Sequence, residues 1–254
     1  AGRLPAAQTG SVTVKLNTSI VMLPKEPMQP RFADDRVGFF QNSLTEFSDD
    51  QQTTDRGAII QRYRLEPKDP ERYRRGQLSE PKNPIIYYID PATPKKWIPY
   101  LKAGVEDWNT AFEAAGFKNA IIAKEWPNDP NMSLDDARYS VIRYLPSETE
   151  NAYGPRIVDP RSGEIMESHI CWYHNVMNLL KKWYMVQCGP LDKRARTMTF
   201  DDKLMGSLIQ FVSSHEVGHS IGLRHNMAAI SATPVEKLRD KAWVEANGHT
   251  VSIM

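Results

Sequence analysis

The strongest constraint on this chain is a short stretch near its end, His215-Glu216-Val217-Gly218-His219-Ser220-Ile221-Gly222-Leu223-Arg224-His225. On a helix, His215 and His219 stand one turn apart on one face, so both imidazoles can reach a single metal ion. Glu216 follows the first histidine and can sit beside that ion without ligating it, where a general base is needed. Gly222 is suited to the left-handed conformation that ends a helix. The chain can then reverse and return His225 as a third nitrogen ligand. Three histidines leave the fourth position of a tetrahedral zinc to water, which is the arrangement of a catalytic rather than a structural site. By chance the whole pattern would arise in on the order of one in a hundred thousand such chains. A surface helix that merely carries three histidines is therefore set aside.

The local setting agrees. Leu204, Leu208 and Val212 share a helical stripe with His215 and His219, and Asp201 or Asp202 is a fitting N-cap. The histidines thus lie on an inward, apolar face, where a dry surround strengthens the electrostatics of a metal site.

HEVGHSIGLRHN resembles the extended zinc signature of the metzincin metallopeptidases, HExxHxxGxxH followed by a Met-turn. Together with YYIDPATPKKWIPYLKAGVEDWNTAFEAAGF and the terminal SIM, it is similar to a bacterial group of large zinc-dependent metalloproteases best known from Bacteroidetes. The resemblance covers residues 84–254, and the part before it is similar to the region that precedes the protease domain in those longer proteins. It implies a zinc endopeptidase with one catalytic Zn2+, held by His215, His219 and His225, with Glu216 as the base and Met254 as the Met-turn methionine beneath the metal. It further implies a protein or peptide substrate and a secreted, periplasmic or cell-surface location. Metzincins continue beyond the Met-turn, and this chain begins at Ala1 rather than methionine. It is therefore expected to be part of a longer polypeptide with further domains and a removed leader. The alternative is a zinc-stabilised binding or scaffold module of a larger surface protein. A degenerate site of that kind would be expected to lose its base, and Glu216 is present.

Composition narrows the rest. With 254 residues, a net charge of +1, 41% hydrophobic and 25% charged residues, the chain has room for one large or two small domains. It gives no support for nucleic acid as a partner. No apolar run approaches the ~20 residues that span a bilayer. The two cysteines, Cys171 and Cys188, lie at the ends of an expected helix and so ~25 Å apart, beyond the ~7 Å reach of a disulfide. Free thiols are expected.

The expected architecture is α+β: a zincin-like (metzincin) catalytic domain with a mixed twisted sheet and an active-site helix over residues 76–254, preceded by a β-rich N-terminal arm and linker over residues 1–75. In the arm, residues 11–16, 19–23 and 36–40 read as short strands. Residues 48–55 read as a polar loop and residues 62–83 as a solvated linker. A small β layer packed on the catalytic domain is the expected arrangement. Beyond it, the pattern predicts a strand at 85–89 and a helix from a Thr93-Pro94 start to Gly116, interrupted by Pro99. Strands are predicted at 120–123 and 139–144, a turn at 159–163, and helices at 172–187 and 233–247. Residues 164–170 are predicted as a strand. The resemblance makes that strand the antiparallel edge beside the cleft, with Glu164, Ile165, Met166, Glu167, Ser168, His169 and Ile170 lining the substrate site. His169 and His174 have no partner fixed by spacing, and no second metal site is expected there.

Overall fold

The computed structural model describes residues 10, 11, 13, 14 and 16–254. Val12 and Lys15 of the first expected strand lie outside the described residues. Its remaining positions, and residues 19–23, form no strand. The β layer of the arm is instead a hairpin of Gln41–Glu46 (β1) and Asp55–Ile60 (β2), paired antiparallel around the polar loop. A five-residue helix, Pro70–Arg74 (α1), follows. It starts where Asp69 accepts from the Arg72 N–H and proline occupies the first turn.

The remaining elements are Ile85–Ile89 (β3), Ile98–Glu106 (α2), Asn109–Ala114 (α3), Ile121–Glu125 (β4), Ser140–Leu145 (β5), Ala152–Tyr153 (β6), Arg156–Val158 (β7), Ile165–Ser168 (β8), Ile170–Tyr173 (β9), Val176–Cys188 (α4), Asp202–Ser220 (α5) and Lys241–Asn247 (α6). Five strands form one mixed sheet in the order β4-β3-β5-β9-β6. The first three pairings are parallel, and β6 lies antiparallel on β9. Alternate residues point to one face: Ile85, Tyr87 and Ile89, then Ile121, Ala123, Ile142, Tyr144, Ile170 and Trp172. That face is covered by Leu101 and Val105 of α2, Val176 and Leu180 of α4, and Ile209 and Val217 of α5, in one continuous core. Each fully buried aliphatic side chain in it contributes about 1.5–3 kcal/mol of transfer free energy. Helix α5 is therefore clamped against the sheet rather than resting on it.

Several expectations change. Pro99 sits in the first turn of a helix that starts at Ile98, and Thr93 does not cap it. The run then breaks at Asp107–Trp108 into two helices. Trp172 belongs to β9, so α4 starts four residues later than expected. Residues 233–247 split into a 3-10 turn, Val235–Arg239, and α6, because Asp240 leaves helical geometry and caps the second piece through the Trp243 N–H. Residues 62–65 are no solvated linker: Tyr63 and Leu65 pack on the core. Cys171 and Cys188 are both free. Among the described residues no helix is long and apolar enough to cross a membrane.

The largest correction concerns Glu164–Ile170. β8 is paired with β7 on one side. On the other it bridges to the arm, where the Arg62 N–H donates to Gly163 O and the Ile165 N–H donates to Arg62 O, both at 2.9 Å. Arg64 adds a two-pronged bond to the Glu164 carboxylate at 3.0 and 2.7 Å. The start of the strand is thus held from both sides, and Ile165, Glu167, Ser168 and Ile170 are buried. The main sheet ends in β4 on one side and β6 on the other, and β6 is the edge beside the histidines.

Candidate metal centre

Helix α5 begins where the Asp201 carboxylate accepts from the Leu204 N–H at 2.8 Å, a cap that contributes about 1 kcal/mol. It ends in a Schellman motif: the Gly222 N–H donates to His219 O and the Leu223 N–H to Gly218 O, both at 3.0 Å. Gly222 has φ 115°, and a Cβ there would stand 2.2 Å from Gln61 O. Glycine is thus required twice over, by conformation and by the close approach of the arm. The reversal brings His225 back over the helix.

The three imidazoles converge. Nε2 of His225 lies 3.1 Å from Nε2 of His219 and 3.2 Å from Nε2 of His215. The other ring nitrogens are spoken for: Nδ1 of His215 faces Ile253 O at 2.7 Å and Nδ1 of His219 faces Leu223 O at 2.8 Å. A carbonyl only accepts, so both Nδ1 atoms carry the proton and both Nε2 atoms present bare lone pairs. Two such lone pairs converging beside the His225 Nε2 suit a shared cation. Four-coordinate zinc with nitrogens at ~2.0–2.1 Å would space them about 3.3 Å apart, close to the separations found. The residues therefore fit a zinc ion, by donor type, tautomer and spacing. Burial, aided by the neighbouring imidazoles, holds His215 and His219 below the usual histidine pKa, so both are neutral and ready to ligate near pH 7.

Glu216 is buried, and burial pushes its carboxyl up to about 7. It lines the same cavity as the three histidines. Met254 is also buried. Its backbone oxygen accepts from the Asn226 N–H at 2.9 Å, tying the terminal turn to the residue after His225. Its side chain lies against Gly218, where a Cβ would meet the Met254 sulfur at 2.2 Å and the Trp108 ring at 2.7 Å. The glycine inside the histidine pair is thus the seat of this methionine.

The cavity beside the histidines measures about 630 Å³. Its walls are the edge segment Ala152–Arg156, Leu179, Leu180 and Trp183 of α4, Phe211 and Val212 of α5, and Phe40 from the arm. None of Glu164–Ile170 lines it. His169 instead pairs with the Glu167 carboxylate and faces Leu134 O. The Phe40 ring meets His219 edge-on at 5.9 Å. Arg156 lies 3.9 Å over the Phe40 ring and donates to His219 O at 2.8 Å. Sequence reasoning missed both: Phe40 fell in an expected strand with no sign of its destination, and Arg156 followed a two-residue strand too short to show a period.

A family model described as Met-zincin matches residues 197–254, and a model for a domain of unknown function (DUF5117) matches residues 2–68. No curated protein and no solved structure matches the chain. By the first match, residues 197–254 are similar to a Met-zincin domain. That class of domain implies zinc binding and metallopeptidase-type hydrolysis, and the convergent histidines lie within the matched residues.

Proposed function

We propose that the protein is a zinc-dependent endopeptidase in which His215, His219 and His225 hold one zinc ion and Glu216 is the general base. We further propose that it belongs with the large bacterial metalloproteases its sequence resembles, and that it works outside the cytoplasm. The observation that carries the reading is the convergence of three imidazole Nε2 atoms beside a buried carboxylate in an open cavity. When bound, zinc supplies a Lewis acid that polarises a scissile carbonyl and acidifies water. The Glu216 carboxylate takes the proton from the attacking water and later delivers it to the leaving amine. Its raised affinity for a proton suits both halves of that exchange. The unpaired side of β6 offers an extended peptide a strand to add to, and the neighbouring cavity takes an apolar side chain.

The test is cleavage of an unstructured protein such as casein by zinc-loaded wild type and Glu216→Gln. The expected outcome is equal zinc content and turnover lowered by at least about a hundredfold in the variant. Equal turnover by both proteins would remove Glu216 from its role, and no turnover by either would remove the peptidase reading.

A further inference from the structure

A second cavity, of about 880 Å³, lies between the start of β1 and the segment 154–160 and is walled by Gln41, Asn42, Ser43 and Gln61. Phe40, Gly154, Pro155 and Arg156 line both this cavity and the one beside the histidines. One groove therefore runs from the apolar pocket, past the metal centre, along the N-terminal hairpin. Its two halves differ: the first is walled by Leu179, Trp183 and Phe211, the second by amides and a hydroxyl.

Among the described residues, Arg156 is the one Lys or Arg lining either half, and Glu216 is the one acid. No carboxylate pairs with Arg156 among the described residues. Its hydrogen bond to His219 O engages a single N–H, which leaves most of a guanidinium's donors without a protein partner. A half-buried cation with no counter-charge is costly. The group is also held still, with its face on Phe40 and one arm on the helix end. A fixed fork of this kind matches a carboxylate.

We infer that Arg156 is a specificity-determining residue that binds a carboxylate of the substrate on the side of the scissile bond that lies along the N-terminal hairpin. The inference rests on the peptidase reading above and names the substrate class: peptides with an acidic side chain, or a free C-terminus, at that place.

The test uses end-blocked peptides that differ only in Glu, Gln or Lys at each position flanking the cleaved bond, with a further pair differing in a free or amidated C-terminus. The readout is the ratio of kcat/KM for acid over amide, which a loss of stability shared by all peptides does not move. Wild type should favour the acid by about tenfold or more, the scale of a charge-assisted hydrogen bond. In Arg156→Gln the ratio should fall to about one, and Arg156→Lys should restore part of it. A preference confined to an internal position identifies a side chain, and one confined to the free end identifies the C-terminus. The same ratio is read without turnover as peptide binding, by fluorescence anisotropy, to zinc-loaded Glu216→Gln. Cleavage with no acid preference anywhere would overturn this inference and leave the peptidase standing. An acid preference in binding that depends on Arg156, without cleavage by wild type, would do the reverse.

Discussion

At the scale of single residues, the site is decided by which imidazole nitrogen carries the proton. Ile253 O and Leu223 O fix that choice for His215 and His219, leaving two Nε2 lone pairs free to share a cation. Glu216 gives the matching pH prediction. Its folded pKa, about 7, lies above its ordinary value of 4.5 because burial disfavours the charged form. The metal-free fold therefore carries no penalty from this group below pH 4.5. It loses stability as pH rises toward 7, and the loss is complete above that. Glu216→Gln removes the ionisation. In metal-free protein its stability relative to wild type should grow between pH 4.5 and pH 7, by about 1.4 kcal/mol for each pH unit crossed, and then level off. Denaturant titrations across that range check this; a difference constant with pH would contradict it. The three histidines and Glu216 could be singled out together in the sequence because their spacing is local to one helix and its exit. It was silent on Phe40 and Arg156, whose approach to His219 depends on contacts across 179 and 63 residues, respectively (219 − 40 and 219 − 156).

At the scale of elements, the exit of α5 is the point of least tolerance. Gly222→Ala places a Cβ 2.2 Å from Gln61 O in a backbone conformation that side chains rarely adopt. The expected cost is about 1–3 kcal/mol, with His225 displaced. Thermal unfolding with and without zinc should show a lower Tm and a smaller gain from the metal than in wild type. An unchanged gain would mean that the turn does not position His225. What could be read at this scale was whatever has its own period or punctuation: β3 from its alternation, and α5 from Asp201 and the Leu204-Leu208-Val212 stripe. β8 was misplaced because alternation looks the same in an edge strand and an interior one, and its second neighbour is Arg62, about a hundred residues away. β6, the edge beside the histidines, has two residues. Trp172 was assigned to a helix because an apolar run spanning a strand-to-helix junction has no period that separates the two.

At the scale of the molecule, the arm and the histidine cluster are built as one. The Phe40 N–H donates to Gly222 O at 2.8 Å and the Arg224 N–H to Gly38 O at 2.9 Å, so the arm brackets the turn that carries His225. Arg64 and Glu164 hold it on the far side. Removing residues 1–61 would strip these partners from the turn and take away the buried Ile59 and Ile60. The shortened protein should lose stoichiometric zinc after gel filtration and melt without cooperativity, whereas one zinc and a wild-type melt would show the arm to be dispensable. The central claim, that three imidazoles from one helix and its exit hold a single zinc, is tested most directly by the metal content of chelator-free protein, measured by mass spectrometry on wild type and His219→Ala. The account predicts one zinc per wild-type chain and well under one in the variant. A folded wild type without stoichiometric metal, or equal zinc in both proteins, would contradict it.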